Sequence, residues 1–481
     1  MQYRSFIIYI ALVALLCIAA QCNKNGNPAS PTGGGNNNNI TQLNANAWLT
    51  RGDQSVLLQQ QNGWVNAPAQ TNQTITVDES ARYQAVDGFG YTLTGGSAQL
   101  LNALDETIKN DLLTELFGNG SGSIGVSYLR LSIGASDLDA SVFSYNDLPA
   151  GQTDIDQDHF SIAKDKENLI PVLKKILAIN PALKIIAAPW SPPVWMKDNG
   201  SSIGGSLKPE YYDSYAKYLV KYIQAMKAEG IAIDAITPQN EPLHPGNNPS
   251  LYMTAEQQRD FIKNNLGPAF KAADITTKIV IYDHNLDRPD YPETILNDPG
   301  AAKYIDGTAF HLYAGDVNTM ATIHNKFPSK NLYFTEQWTG ATGSFDGDLL
   351  WHVKNVIIGT MRNWSRLALE WNLASDPQYN PHTPGGCTEC KGALTVKGNN
   401  ISRNVSYYII AHASKFVPPG SVRIGSNDIS GVSNVAFITP EGKKVLIVAN
   451  DNVTAYAFNI RYKDSQGSVN MPAKSAATIV W

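Results

Sequence analysis

The apolar and polar positions of this chain follow three successive regimes. Residues 43–84 carry short alternating pieces, SVLLQQQ and QTITVDES, with no helical period. Residues 421–481 read the same way in VSNVAFITP, KKVLIVAND, TAYAFNIRY and SAATIVW, separated by Gly, Asn and Asp. Alternation buries one face of a strand and wets the other. Two all-β ends around a different middle predict one β-sandwich built from residues 43–84 and 421–481.

The middle alternates between two periods. Strand-like apolar runs occur at YQAVDGFGYT (83–92), VSYLRLSIG (126–134), LKIIAAPW (183–190), IDAITPQNEP (233–242), KIVIYDHN (278–285), IDGTAFHLYAG (305–315), NLYFTEQW (331–338) and SRLALEWNLA (365–374). Helical patterns lie between them, most clearly in 211–230, where Tyr211, Tyr215, Tyr218, Leu219, Tyr222, Ile223 and Met226 recur on one helix face. Those tyrosines read as the barrel-facing side of a helix. Eight strands alternating with helices across residues 85–420 predict an α/β fold, a (β/α)8 barrel. A doubly wound open sheet competes, but GFGYTLTGG (88–96) is too bulky for a phosphate to approach its backbone.

The first residues change the picture of where the chain works. Arg4 precedes FIIYIALVALLCIAA (6–20), long enough for a signal-peptide core and short for a membrane span. Gln21, Cys22 and a Gly/Asn/Pro/Ser tract follow. A small-residue run ending in Cys is similar to a bacterial lipoprotein signal, although Gln21 fits imperfectly. This predicts a signal segment over 1–22, lipidation at Cys22 and a flexible tether over 23–42. The expected location is the outer membrane or cell surface, held only through that lipid, or otherwise the periplasm.

Composition narrows the partners. With 43% hydrophobic and 16% charged residues in 481, the chain is globular, and a net charge of −5 offers no basic surface for nucleic acid. Nine Trp and twenty-two Tyr suit stacking on sugar rings, though aromatics also fill cores. Cys17 lies inside the apolar signal core, which leaves Cys387 and Cys390 in GGCTECKG with Cys22. The CxxC spacing suits a metal half-site, a redox motif or a local disulfide. No second pair completes a metal site, and a Gly-rich loop is not a thioredoxin-like helix start, so an exported chain favours a disulfide. No metal or cofactor is expected.

Catalytic groups of such a barrel stand at the C-terminal ends of strands. There the sequence places Arg130, Ser132 and Asp137; Trp190; Asn240 and Glu241; Asp283, His284 and Asn285; His311 and Tyr313; Glu336 and Trp338; and Trp371 and Asn372. Strands four and seven both end in Glu. Glycoside hydrolysis needs two carboxyls, one to protonate the leaving oxygen and one to attack or to activate water. Blander readings stand beside these. Arg130 suits a structural ion pair, Asp137 a turn cap, and Trp195 simple packing. Trp338 and Tyr91 suit outer sugar platforms or lid packing. Asp283, His284 and Asn285 suit substrate contact or a hydrogen-bond network, and His412 and Lys415 look structural.

The motifs GFGYTLTGGSA, RLSIGASD, APWSPPVWMK, TPQNEP, FHLYAG, YFTEQW and LEWNLA resemble the successive barrel-end motifs of glycoside hydrolase family 30, from about residue 85 to 425. The resemblance implies a retaining enzyme with Glu241 as acid/base and Glu336 as nucleophile, and a sandwich built from both chain ends. It implies that Asn240 binds the sugar 2-hydroxyl and that Asp137, Trp190 and Trp371 hold the sugar at the −1 subsite. His311 would set the surroundings of the nucleophile. Arg130 and Tyr313 would keep Glu336 ionised, and apolar walls with the Glu336 charge would raise the Glu241 pKa. A bulge is expected near Asn240 and Glu241, because neighbours on an ideal strand point to opposite faces.

Within that family, a glucuronoxylanase would need an Arg-based site in its late loops, and no Arg lies between 367 and 402. The long loop at 375–403 with its cysteine pair resembles the β-1,6-glucanase subgroup. The expectation is therefore an endo-acting β-1,6-glucanase whose partner is a β-glucan. A glucosylceramidase or exo-β-glucosidase is the alternative within the family. From another class, a non-catalytic glycan-binding surface lipoprotein on the same barrel is the competing reading.

Overall fold

The computed structural model describes residues 40–481. The signal segment, Cys22 and nearly all of the tether lie outside the described residues. Among the described residues no helix is long and apolar enough to cross a membrane.

Eight parallel strands close into a barrel in chain order: β1 (Gly88–Thr92), β2 (Tyr128–Ile133), β3 (Lys184–Pro189), β4 (Ala235–Ile236), β5 (Lys278–Asn285), β6 (Ile305–His311), β7 (Asn331–Glu336) and β8 (Ser365–Asn372). The barrel is a packed core. Tyr128, Ile186, Ala235, Val280, Ala309, Tyr333, Leu367 and Leu369, contributed by seven of the strands, fill its interior as one cluster. Outside, the helix Tyr212–Ala228 turns Tyr215, Tyr218 and Tyr222 inward, all fully buried, as its spacing predicts. Trp195 is a packing residue: its indole N–H donates to the Asn146 carbonyl at 2.9 Å and its ring meets Tyr211 edge-on.

Ten further strands form one ladder in the order 41–42, 465–471, 456–462, 73–85, 422–426, 433–438, 444–450, 475–480, 46–51, 59–61. The strand Gln73–Ala85 lies between Tyr456–Tyr462 and Val422–Ser426, so the two chain ends are interleaved. Leu49, Ile75, Val77, Leu446, Phe458, Ile460, Val469 and Ile479 share its core. His412, buried in the last helix, bonds Thr478 at 3.0 Å and Thr50 at 2.9 Å and ties this layer to the barrel. Without a charged partner, burial pushes its pKa down to about 3. Lys415 anchors the Ser121 and Ser123 carbonyls at 2.7 Å.

Three details differ from the sequence reading. Thr41 and Gln42, assigned above to the tether, pair with Ser465 and Gln466. In SVLLQQQ only Gln59–Gln61 is strand, because Leu58 turns left-handed (φ 50°) and gives its N–H to Thr50 Oγ1 at 2.9 Å. The strand Ser465–Met471 escapes a hydropathy scan because its core face is Gly467, Val469 and Met471, one of them without a side chain.

Candidate active site

Bulges re-aim side chains at the C-terminal ends of three strands. The pairing of β6 with β5 skips Asp283, its pairing with β7 skips Thr335, and that of β8 with β1 skips Trp371. Each extra residue lets near neighbours serve the same mouth. At β5 the bulge puts Tyr282 and Asp283 in consecutive left-handed conformations (φ 72° and 64°), a strain of roughly 1–3 kcal/mol each. At β4 there is no bulge. The ladder stops at Ile236, Asn240 N–H reaches the Pro189 carbonyl at 2.8 Å, and Glu241 itself turns left-handed (φ 43°). A turn therefore does what the expected bulge was to do.

The floor of the mouth is a buried charge network. Arg130, fully buried, donates to Glu336 Oε2 at 2.5 Å, Asn240 Oδ1 at 2.6 Å and Asp283 Oδ2 at 2.8 Å. Its guanidinium lies 4.9 Å from the Trp190 ring, which stacks on Trp371. Asp283 also accepts from Thr237 at 2.8 Å and Thr335 at 2.6 Å, and His311 Nε2 lies 3.1 Å from it. The other His311 nitrogen stands 3.2 Å from Glu241 and 3.8 Å from Glu336. Tyr313 donates its hydroxyl to Glu336 Oε1 at 3.0 Å. Because Asn240 Oδ1 is taken by Arg130, its NH2 is the end left to donate.

Above this floor opens a cavity of about 380 Å³ lined by Asp137, Trp190, Asn240, Glu241, Tyr313, Glu336, Trp338 and Trp371. It falls within the range of small-molecule sites. His284, Asn285 and both cysteines complete its walls. Cys387 and Cys390 are bonded to each other. His244 and Asn247 also line it. Sequence reasoning missed both, and the available signal was their place in LHPGNN, directly after the Glu at a strand end.

Three expected substrate contacts do not reach the cavity. Arg130 and His311 are fully buried beneath it and act on the carboxylates instead. Tyr91 faces outward from the barrel: it is fully buried, and its hydroxyl donates to the Ser406 carbonyl at 3.1 Å in the last helix. Of the strand-five residues, Asp283 belongs to the network, whereas His284 and Asn285 reach the cavity.

Burial and charge set the proton affinities. Burial, then the Glu336 charge, push Asp137 up to about 7. Burial lowers the His311 pKa, but the Glu336 charge and the contacts with Asp283 and Glu241 outweigh it and bring His311 up to about 9. For Asp283, Arg130 and His311 overcome burial and hold the carboxyl well below the usual range. Burial pushes both glutamates up. At Glu241 the neighbouring histidines, His311 first, outweigh it and the carboxyl is lowered; at Glu336 burial and the Glu241 charge prevail over His311 and Arg130. The expected raising of Glu241 is thus reversed, because three imidazoles surround it. The proton lies one hydrogen bond away, on His311.

Among the described residues, the grouping with metal-ligand spacing is Glu241, His311 and Glu336, whose ligand atoms lie within 4.8 Å of one another. A cation there would share Glu336 with a guanidinium already 2.5 Å away. The donor set suits a proton network better than a metal.

Residues 86–417 match the glycosyl hydrolase family 30 TIM-barrel domain, and residues 420–479 match that family's β-sandwich domain. The chain belongs to glycosyl hydrolase family 30. The endo-1,6-beta-D-glucanase neg1 of Aspergillus fumigatus is 33% identical, over 86% of this chain and 89% of that protein. A putative glucosylceramidase of Caenorhabditis elegans, number 4, is 30% identical, over 81% and 79%. Among solved structures, the endo-beta1,6-glucanase BT3312 superposes with a TM-score of 0.83 at 36% identity, covering 91% of this chain and 99% of that one. The family 30 chain is therefore a glycoside hydrolase, with a glycan as its substrate.

Proposed function

We propose that this family 30 hydrolase cleaves β-1,6-glucan internally, with retention of anomeric configuration. The observation that carries the mechanism is the spacing of the carboxyls: an oxygen of Glu241 and one of Glu336 lie within 4.8 Å. Retaining enzymes hold the pair about 5–5.5 Å apart, whereas inverting ones leave about 6.5–9.5 Å for a water. Glu336, whose ionised form His311 and Arg130 favour against burial and the Glu241 charge, is oriented by Tyr313 and attacks the anomeric carbon. Glu241 protonates the leaving oxygen with the proton that His311 holds beside it. A glycosyl-enzyme ester forms on Glu336. Glu241 then takes a proton from the incoming water, whose oxygen replaces Glu336 at the anomeric carbon. Asn240, Asp137 and the stacked Trp190 and Trp371 hold the sugar.

The β-1,6 linkage is supported by the likeness to the Aspergillus fumigatus endo-1,6-beta-D-glucanase at 33% identity and to the solved endo-beta1,6-glucanase at 36%. The test is product analysis on linear β-1,3-, β-1,4- and β-1,6-glucans. A ladder of oligosaccharides from the β-1,6 polymer alone is expected. Glucose alone would establish exo action, release of glucose from glucosylceramide would favour the glucosylceramidase reading, and binding without release would favour a lectin. Proton NMR of the first product should show the β-anomer; an initial α-anomer refutes retention.

The location proposed is the cell surface or outer membrane through a lipid on Cys22, supported by the apolar run that precedes it. Membrane fractionation of Cys22→Ala should show the enzyme moving to the soluble fraction.

A further inference from the structure

The connection after β8 leaves the strand at Asn372 and reaches the last helix at Val405. On the way its segment 383–391 touches three other loops of the mouth. Thr383 and Cys387 give backbone N–H groups to Asp137, to its carbonyl at 2.9 Å and to its Oδ2 at 3.2 Å. Asn248, after β4, donates its side-chain amide to the Pro384 carbonyl at 2.8 Å. Cys390 and Lys391 pair antiparallel with Gly340 and Thr339, after β7. The Trp338 indole lies over Gly340, where an added Cβ would stand 3.3 Å from the ring. The Cys387–Cys390 disulfide closes this segment, and Cys390 packs with Trp190 and Trp371. The fit on Asp137 is close: a Cβ on Gly386 would lie 2.3 Å from the Asp137 carbonyl oxygen.

We propose that this disulfide turn is a positioning element for substrate binding. One end of the clasp holds the Asp137 carboxylate and the other holds the strand pair beneath Trp338, so groups from the loops after β2 and β7 are set by one cross-link on the loop after β8. The inference rests on the cleft binding a glycan as proposed above. A cross-link closing so short a loop removes little entropy from the unfolded chain, so its effect is local. It takes freedom from a turn whose two ends carry cavity-lining side chains. Cysteine pairs persist in oxidising compartments, and a reduced chain would present an unclasped cleft.

Two variants test this from opposite sides. The double variant Cys387→Ser with Cys390→Ser removes the cross-link, and Gly386→Ala keeps it but drives the turn off Asp137. KM, kcat and Tm are measured for each on β-1,6-glucan and on an aryl β-glucoside. The expected result for both is a KM raised about tenfold, on the order of one lost hydrogen bond. In each, kcat falls less than about threefold, and Tm stays within a few degrees. In an Asp137→Ala background, removing the cysteines should change KM less than about threefold, because the side-chain contact is gone and only the Trp338 end of the clasp remains. An unchanged KM overturns the proposal, as does a full effect persisting without the Asp137 carboxylate. Tm, kcat and KM failing together would mark a scaffold role and overturn it too. If the unmodified enzyme leaves β-1,6-glucan intact while KM for the aryl glucoside rises in both variants, the linkage reading fails and the clasp stands.

Discussion

Replacing Arg130 with methionine removes one buried cation from three anchored groups and leaves Glu336 and Asp283 with the His311 imidazolium as their remaining positive neighbour. Breaking a buried ion pair by removing one partner costs about 3–5 kcal/mol. Unfolding entropy of about 2.1 cal/mol/K per residue gives roughly 0.9 kcal/mol per degree for residues 40–481, so Tm should fall by about 3–5 °C. The catalytic consequence has a definite sign. The guanidinium favours the ionised form of Glu336, so its loss raises that pKa and moves the acidic limb of the kcat/KM profile to higher pH. A hydrogen bond to a charged group contributes about 1.5–3 kcal/mol, which at 1.36 kcal/mol per pH unit displaces the limb by about one to two pH units. Arg130→Lys keeps the charge but cannot reach three partners. It should restore most of the limb while KM stays raised, because Asn240 loses its orienting donor. The assay is scanning fluorimetry together with kcat/KM from pH 4 to 9, which reports the free enzyme. A methionine variant with the unmodified enzyme's melting and an unmoved acidic limb would refute the reasoning.

Other outcomes follow from the same geometry. Glu336→Gln should abolish turnover with melting preserved, and substantial residual activity would remove it as nucleophile. Glu241→Gln should lose about 10²–10⁴ in rate on glucan, but far less in the burst released from a dinitrophenyl β-glucoside, whose leaving group needs no proton; equal losses on both would refute the acid role. Tyr91→Phe should cost about 0.5–1.5 kcal/mol of stability with an unchanged product ladder, and an altered ladder would return Tyr91 to the cleft. Asp165, away from the site and bonded by the Tyr145 hydroxyl at 2.5 Å, is pushed up to about 7 by burial. Its native form holds a proton that the unfolded chain has released above about pH 4, so it contributes stability that is lost as pH rises through 7. Asp165→Asn should therefore melt progressively higher relative to the unmodified enzyme between about pH 4 and 7, with the gap constant above that; parallel curves from about pH 4 to 7 would refute that assignment.

Much of the site was legible because a parallel barrel ties chemistry to a repeated local signal. Each strand is a continuous apolar run, and the polar residues that break it stand at the mouth. That was enough to find Glu241, Glu336, Asn240, Trp190 and Trp371 without knowing a single contact. The misreadings have one physical cause. On a strand, the face a side chain occupies depends on register, and register is set by pairing and by bulges that the sequence does not announce. Tyr91 sits within a barrel motif yet points to the last helix, and Arg130 sits at a strand end yet lies under the cavity floor.

By itself the sequence determined the eight strands, the interleaved sandwich and the identity of the two carboxyls, since these rest on period and residue type along short segments. Only the tertiary structure decided how protons and charge are shared among them. Closure of the barrel brings Arg130 to partners 110, 153 and 206 positions further along the chain, and His311 to Glu241 and Asp283 from two other strands. Proton affinity depends on distances of a few ångströms in a buried site, and chain closure alone sets those distances.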